Sequence, residues 1–402
     1  MASSAPKILL AKPGLVTSAK FGRGGGGGGG AGEDDAAASL RSRLPPNGSL
    51  NLLSDSWEFH TDRFLSFLTD NTEFMVVGVI GTTGVGKSTI LNEIYGFDPS
   101  SNVGMLPPFA IQSEETRAMA KHCTIGIEPR VSTERIILLD TQPVFSPSVL
   151  AEMIRPDGSS TVSVISGESL SAELAHELTS IQLGVLLASI CHVILVVSEG
   201  VHDASMWRLM LTVDLLKHGI PDPSSVSFKH SQSSNSTTEK EKVEKITESG
   251  LDYMATPVFV HSKICDQELC PANCEQMKKA VAQYFRSSSF LKAQNKIIST
   301  ENNTGTTNLY IQSDEPEPAS PKLFLLPSKG KDDVLRPQYE SYTLMLSRLR
   351  DQVLSMDGPS FSRTVSERDW LKNSAKIWDI VKNSPIIADY CKTLRSSGLF
   401  RR

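Results

Sequence analysis

The sequence is poor in the features that mark several large classes of protein. Only six of its 402 residues are cysteines, too few and too scattered for a disulfide-stabilised secreted scaffold. No apolar run reaches the length of a membrane span, and the apolar run at residues 8–11 is too short for the core of a secretory signal. We therefore expect a protein of the cytoplasm or the nucleus that makes no contact with a membrane.

An excess of positive charge is also absent. The net charge is −5, and acidic and basic residues are intermixed along the chain without forming a basic stripe. A surface that binds nucleic acid needs such a stripe, so we expect no direct contact with nucleic acid. The length leaves room for two or three domains with a large core.

One stretch carries most of the chemistry in the sequence. Residues 75–80 are mostly apolar, as in a buried strand, and they run into GTTGVGKS at 81–88. This is the phosphate-loop pattern G-x-x-x-x-G-K-S/T, and a stretch that suits a helix follows it. Glycines let backbone N–H groups surround phosphates, and the lysine reaches the outer phosphates. The pattern predicts a phosphate site formed by Gly81, Gly84, Val85, Gly86, Lys87, Ser88 and Thr89.

An acidic residue at the end of a second apolar run supplies the expected metal partner. The run ERIILLD ends at Asp140, and ligands bind at the carboxyl edge of open α/β sheets. We expect Ser88 and Asp140 to hold Mg²⁺, with Thr124 as the switch threonine that reaches the ion; Thr116 is the alternative. The predicted cofactors are a purine nucleotide, GDP/GTP or ATP, and Mg²⁺.

Two departures separate this site from that of an active GTPase. Such enzymes carry D-x-x-G, whose glycine N–H senses the γ-phosphate, whereas Pro143 stands in the glycine position and has no N–H. Gln142 is the neighbouring residue that could orient a water molecule. The guanine-reading pattern N-K-x-D is reduced to Ser262 and Lys263, with Cys265 in the aspartate position. Guanine and adenine therefore both stay open, and we expect little or no hydrolysis.

A histidine and three cysteines lie close together in the sequence, at His261, Cys265, Cys270 and Cys274. Their spacing, H-x3-C-x4-C-x3-C, is not one of the common zinc patterns. Free thiols near a loop are therefore the favoured interpretation over a zinc site.

Strands and helices alternate from residue 70 to about 356, which predicts an α/β fold with a P-loop NTPase-like, doubly wound and mostly parallel sheet. Residues 1–48 contain an unbroken glycine tract and are predicted to be a disordered tail. Residues 49–356 are predicted to form the G-like domain, with a disordered insertion at 224–249. Apolar residues at helical spacing predict a helix at 50–68 beside the first strand.

The segment 357–402 has a different pattern and is predicted to be a C-terminal helical extension. Ser366 begins a capping-box sequence, and Trp370 and Trp378 fall on one apolar stripe of the helix that follows. A serine-proline pair at 384–385 predicts a second, short helix. The two tryptophans either pack on the domain or anchor a partner protein, and the sequence leaves both possibilities open.

Several stretches together resemble one known family, the ninth Smg proteins. These are the G-domain-like subunits of the kinase complex in nonsense-mediated mRNA decay. The most specific parts are the D-T-Q-P run that begins at Asp140 and the tryptophan-bearing tail. The likeness covers most of residues 50–395 and is carried by residues 76–88, 137–150, 181–197, 308–327 and 366–390.

The resemblance implies a regulatory subunit that is not itself a kinase. Its expected partners are the eighth Smg protein, bound through the G-like domain, and the large phosphatidylinositol-3-kinase-related kinase that phosphorylates the decay helicase. The resemblance also implies a fold related to dynamin-like GTPases, in which Gly81, Gly86, Lys87 and Ser88 hold the nucleotide phosphates with little turnover.

Three functions follow as hypotheses. The first is a nucleotide-binding pseudo-GTPase that acts as scaffold and regulator. The second is an active GTPase switch of the dynamin or septin type, which Pro143 disfavours because it lacks the N–H that senses the γ-phosphate. The third is an interaction module whose nucleotide site stays empty.

Overall fold

In the computed structural model, alternating burial explains how the strands form one sheet with two covered faces. Along β1 (Met75–Gly81), Val76 and Ile80 belong to one apolar cluster, whereas Val77 and Val79 belong to another. Successive side chains of a strand point to opposite faces, so both faces of this strand are buried. The other strands are β2 (Ile127–Val131), β3 (Ile136–Thr141), β4 (Val193–Glu199), β5 (Thr256–Ile264) and β6 (Lys322–Pro327).

The structure describes most of the chain between residues 50 and 398. The predicted disordered tail at 1–48 and nearly all of the predicted insertion at 224–249 lie outside the described residues. The described ranges are 50–98, 100–101, 104–165, 168–226, 253–290, 321–329, 340–356 and 358–398.

The order of the strands places β1 at the centre of the sheet. The order is β2-β3-β1-β4-β5-β6, and all neighbours are parallel except β2, which is antiparallel to β3. The carboxyl end of β1 therefore lies between those of β3 and β4. In open α/β sheets ligands bind at such a position, where the chain connections diverge to the two sides. The predicted α/β fold with a mostly parallel sheet is confirmed.

Helices cover both faces of the sheet, as the doubly wound prediction requires. They are α1 (Asp62–Leu65), α2 (Lys87–Tyr95), α3 (Glu114–Ala118), α4 (Pro147–Met153), α5 (Ala172–Ile190), α6 (Ala204–Leu216), α7 (Pro271–Tyr284), α8 (Tyr342–Leu354), α9 (Glu367–Lys382) and α10 (Pro385–Ser396).

The two faces differ in what covers them. Helices α2 and α8 pack together on one face, and α5, α6 and α9 pack on the other. Nearly every residue of α5 is buried, because the sheet lies on one side of it and α6, α9 and α10 lie around the rest. Even so, no helix in the described ranges combines the length and the apolar character needed to cross a membrane.

The predicted helix at residues 50–68 is wrong. Only Asp62–Leu65 is helical, and the segment before it runs along the edge of β2. Leu53 forms isolated β-bridges with Phe59 and with Ile127, and Trp57 adopts a positive φ of 65°. Backbone pairing with β2 has therefore overridden a helical spacing of apolar residues.

The C-terminal extension packs into the domain, and its tryptophans lie in the core. Trp370 and Trp378 are fully buried. The Trp370 Nε1 donates to the carbonyl of Ile190, at the end of α5, at 2.8 Å. The Trp378 Nε1 donates to the carbonyl of Trp57 at 3.1 Å, and the two indole rings meet edge to face at 5.8 Å. The interpretation of these tryptophans as anchors for a partner is therefore wrong.

A buried carboxylate fixes the start of α9 to the sheet. Glu367 is fully buried, and its Oε2 accepts from the backbone N of Thr69 at 2.8 Å and from the Thr69 hydroxyl at 3.0 Å. Arg135, in the turn between β2 and β3, donates through Nε to Oε1 at 2.7 Å and through Nη2 to Oε2. This two-point pairing joins three segments that are far apart in the sequence.

We expect Glu367→Gln to lower the free energy of unfolding by about 2 kcal/mol, because the buried side chain loses the charge that strengthens its hydrogen bonds with Thr69 and with the partly exposed Arg135. Chemical denaturation followed by tryptophan fluorescence measures the change. Glu340→Gln is the matched control, since Glu340 pairs with Arg348 at the surface, where such pairs contribute about 0–1 kcal/mol. Equal small losses in the two variants would contradict the assignment of Glu367 as a structural clamp.

A partly buried histidine links the stability of the core to pH. The Val76 N donates to the Nδ1 of His192 at 2.9 Å, and the ring lies 4.2 Å from that of Phe361. Burial lowers the pKa of His192 from 6.5 to about 4. The ring is therefore neutral in the folded protein over a range in which the unfolded chain binds a proton.

This proton difference predicts a loss of stability as the pH falls from 6.5 toward 4, by up to about 1.4 kcal/mol per pH unit from this residue. Above pH 6.5 both states are neutral at His192 and the contribution is constant. Thermal unfolding of the wild type and of His192→Asn at a series of pH values tests this. The stability advantage of the wild type should shrink as the pH drops, and an advantage that does not change with pH would argue against the assignment.

Candidate functional site

The predicted phosphate loop connects β1 to α2, and its geometry requires glycine at Gly81 and at Gly86. A Cβ atom at Gly81 would lie 2.2 Å from the carbonyl oxygen of Val197 on β4, so no larger residue fits where these strands touch. Gly86 precedes α2 with a φ of 98°, a left-handed conformation that other residues rarely adopt. The loop therefore leads into a helix N-terminus, where backbone N–H groups favour a bound anion.

Lys87 lies over this loop. Its Nζ donates to the carbonyl of Gly81 at 3.1 Å and to that of Thr82 at 3.0 Å. Burial lowers the pKa of Lys87 to about 8, and Asp140 acts in the opposite direction. An ammonium group held at this position is available to a phosphate that enters the loop.

Side chains from three elements meet at Asp140. This residue is fully buried in β3, and its Oδ2 accepts from the Ser88 hydroxyl at 2.7 Å and from the Thr124 hydroxyl at 2.9 Å. Its Oδ1 is buried and has no hydrogen-bond partner in the described part of the chain. Burial raises the pKa of Asp140, whereas Lys87 and the two hydroxyls lower it.

These groups fit a magnesium ion. Mg²⁺ prefers oxygen ligands and usually takes one or two carboxylates together with water and substrate phosphates. The unpartnered Oδ1 of Asp140 is an atom that a cation would satisfy. The structure brings together all three predicted metal residues, Ser88, Asp140 and Thr124, whereas Thr116 hydrogen-bonds with Ser113 at the start of α3. Their role toward magnesium stays a prediction.

An open cleft of about 560 Å³, its mouth included, runs beside the loop. Most of the predicted phosphate residues line it, namely Gly84, Gly86, Lys87, Ser88 and Thr89. Gly81 lies at the end of β1, and Val85 packs in the apolar core beneath the loop. These positions are consistent with phosphate binding, which itself stays a prediction.

The opposite wall of the cleft comes from residues 104–124, which we name the switch segment. The side chain of Asn92 in α2 pairs with both backbone groups of Phe109 at 2.9 Å. His122 contacts the Ser148 hydroxyl at 2.9 Å, and Thr124 bonds with Asp140 as described. The only helix that the described residues form here is the short α3.

The two residues after Thr141 do not supply what an active GTPase uses there. Pro143 lines the cleft and has no N–H. Gln142 is buried, and its Oε1 accepts from the backbone N of Gly126 at 3.0 Å, while its own N donates to the Gly126 carbonyl at 2.8 Å. The Gln142 side chain is thus bound next to β2 and is not placed to orient a water molecule in the cleft.

The predicted base-reading residues lie within β5 and not in a loop after it. The strand continues to Ile264, which pairs with Pro327 beyond an irregularity in the register. The Ser262 hydroxyl donates to the carbonyl of Ser198 at 3.1 Å, and Lys263 pairs with Glu199 at 2.7 Å. Neither residue lines the cleft, so their role toward a base stays a prediction.

The histidine and cysteines of this region do not form a metal centre in the structure. Among the described residues, no group of three or more His, Cys, Asp or Glu side chains is arranged to hold a metal ion. His261 is buried in β5, whereas Cys265 is exposed at the surface.

Sequence reasoning missed two ionisable residues of the cleft. Arg117 and His122 both line it from the switch segment. No motif marks either residue, because each reaches the cleft only through the path of an irregular loop. Burial and the charge of Lys87 lower the pKa of His122, whereas the carboxylate of Glu152 raises it.

Comparisons with known proteins identify relatives of this chain. The nonsense-mediated mRNA decay factor SMG9 of Xenopus tropicalis is 30% identical over 367 residues, which cover 85% of this chain and 66% of that protein. SMG9 of Salmo salar is 29% identical over 371 residues, and SMG9 of Caenorhabditis elegans is 23% identical over 277 residues. The chain thus spans slightly less than two thirds of the length of the Xenopus tropicalis relative. No protein-family model matches it.

Solved structures overlap with the chain only weakly. The septin GTPase domain of Chlamydomonas reinhardtii aligns over 77% of this chain and 96% of that domain, with 9% identity and a TM-score of 0.28. Translation elongation factor SelB of Methanococcus maripaludis, in complex with a GTP analogue, aligns over 58% and 35% of the two chains, with 12% identity and a TM-score of 0.23. At such TM-scores the two alignments carry no weight for the function of this chain.

A comparison of two buried carboxylates predicts which of them serves the fold. Asp222 accepts hydrogen bonds from Ser224, Ser225 and Ser362, whereas Asp140 leaves one oxygen unpartnered among the described residues. We expect Asp222→Asn to lower the melting temperature of the nucleotide-free protein more than Asp140→Asn does. Differential scanning calorimetry measures both variants, and a larger loss in Asp140→Asn would show that Asp140 acts mainly in the fold.

Proposed function

Because the chain belongs to the family of nonsense-mediated mRNA decay factors named SMG9, we propose that it acts in this process as a nucleotide-binding pseudo-GTPase. The observation that supports binding most directly is the arrangement around Asp140. Its carboxylate receives Ser88 and Thr124 beside the phosphate loop and keeps one buried oxygen unpartnered in the described structure. A site built only for the fold gains nothing from such an atom.

In this proposal each part of the cleft holds one part of the ligand. The backbone of the phosphate loop and Lys87 bind the phosphates of a purine nucleotide, GDP/GTP or ATP. Ser88, Thr124 and Asp140 hold Mg²⁺, which neutralises phosphate charge when it is bound.

The same cleft supports binding without turnover. Pro143 cannot donate an N–H to the outer phosphate, and Gln142 is bound to Gly126. A nucleotide held in this way stabilises the folded domain by mass action and does not drive a cycle. We therefore propose a regulatory and scaffold role, in which the nucleotide keeps the domain in one binding-competent form.

The partners proposed for this scaffold are the eighth Smg protein and the phosphatidylinositol-3-kinase-related kinase. This kinase phosphorylates the decay helicase, and the chain is proposed to modulate that phosphorylation. The resemblance of the sequence and the naming of the relatives as decay factors support this proposal. The expected location is the cytoplasm, with the nucleus as a second site.

Multiple-turnover hydrolysis of GTP and of ATP tests the proposal, with Lys87→Ala as the matched control. We expect no phosphate release by the wild type above that of Lys87→Ala. We also expect intact nucleotide to be recovered from denatured wild-type protein and lost from the variant, together with a lower melting temperature of the variant. The identity of the recovered base would decide between guanine and adenine.

Other results of this experiment would favour the two alternatives. Phosphate release above the control would indicate an active GTPase switch of the dynamin or septin type. An absence of nucleotide in the wild type, together with unchanged stability of Lys87→Ala in saturating nucleotide, would indicate an interaction module with an empty site.

A further inference from the structure

The function proposed above leaves one charged residue of the cleft without a role. Arg117 belongs to α3 and lines the cleft with Thr83, Lys87 and Ser88 of the phosphate loop. Its side chain is exposed, and its guanidinium makes no ion pair within the part of the chain that the structure describes. A guanidinium in this state is available to an anion, and phosphate matches its planar arrangement of donors.

The structure holds α3 in place on both sides of Arg117. The Ser113 hydroxyl caps the helix by accepting from the backbone N of Thr116 at 3.1 Å. The Gln112 side chain donates to the carbonyl of Lys121 at 2.8 Å, which closes the switch segment on itself across the helix. The anchors at Phe109 and Thr124 fix the segment further out. These hydrogen bonds hold α3, and with it Arg117, beside the cleft.

The cleft has a place for an additional donor. The phosphate loop and Lys87 supply donors on one side, whereas Pro143 lines the cleft without an N–H to offer. The outermost phosphate of a triphosphate is the group that G-type sites contact from their switch segments. A diphosphate lacks this group, so a donor placed in the switch segment distinguishes the two ligands.

We propose that Arg117 binds the outermost phosphate of a nucleoside triphosphate and thereby replaces the N–H donor that Pro143 removes. The inference rests on the proposed function, because it requires a nucleotide in the cleft. A guanidinium donates two parallel hydrogen bonds to phosphate oxygens and stays charged throughout the physiological pH range. Arg117 is thus a specificity-determining residue that lets the chain prefer a triphosphate over a diphosphate without any bond being broken.

Isothermal titration calorimetry of the full chain tests this in the presence of Mg²⁺. The probes are GDP, ADP and the non-hydrolysable triphosphate analogues of both bases. We expect Arg117→Ala to weaken triphosphate binding about tenfold or more, while diphosphate binding stays close to that of the wild type. Lys121→Ala is the matched control, since it removes the same charge from the switch segment at a residue that does not line the cleft.

Each other result overturns the inference. Equal losses for diphosphate and triphosphate, or the same loss in Lys121→Ala, would point to a general effect of charge. Unchanged triphosphate binding by Arg117→Ala would also overturn it, although nucleotide binding by the wild type would leave the proposed function intact. If the wild type binds none of the four probes, both proposals fail. Equal melting temperatures of nucleotide-free wild type and Arg117→Ala establish that the variant is folded.

Discussion

The buried carboxylate of Asp140 is the point on which the arrangement of the cleft depends. A charge away from water is costly unless hydrogen bonds or an opposite charge compensate it. Here the compensation comes from Ser88 at the start of α2, from Thr124 in the switch segment and from nearby Lys87. These hydrogen bonds bring the start of α2 and the switch segment to the end of β3. The cleft is the space beside this arrangement.

In the proposed function, nucleotide binding and nucleotide hydrolysis depend on separate parts of the sequence. The groups proposed to hold phosphates come mainly from one continuous stretch at 81–89, so the local chain preserves them as a unit. The groups that would support hydrolysis would come from residues 142–143, which follow β3 in the sequence. In the proposed function, Pro143 and the hydrogen bonds of Gln142 remove the capacity for hydrolysis and leave the geometry of the phosphate loop unchanged. This separation would allow a complete phosphate loop to coexist with a site that does not hydrolyse nucleotide.

Local patterns predicted the parts of the fold that local chemistry decides. The alternation of strands and helices predicted the mostly parallel sheet, and the spacing of the glycines predicted the phosphate loop. Short-range geometry determines both features. The segment at 50–68 was mispredicted since pairing of Leu53 with Ile127, far away in sequence, outweighs helical spacing. From the sequence, Glu367 is an ordinary acidic residue in the first turn of a helix. Its pairing with Arg135 could not be predicted, because the two residues are far apart in the sequence and meet only in the folded chain. Arg117 carried no sequence signal for the same reason.

The position of α9 has a consequence for the synthesis of the chain. This helix covers α5 and closes the core through Trp370 and Trp378, yet it is among the last described elements to leave the ribosome. Until then the apolar surface of α5 has no permanent cover, and the nascent protein must be kept from aggregating. A chain that ended shortly before residue 367 would contain all six described strands but would lack α9, and such a product would be a target for degradation.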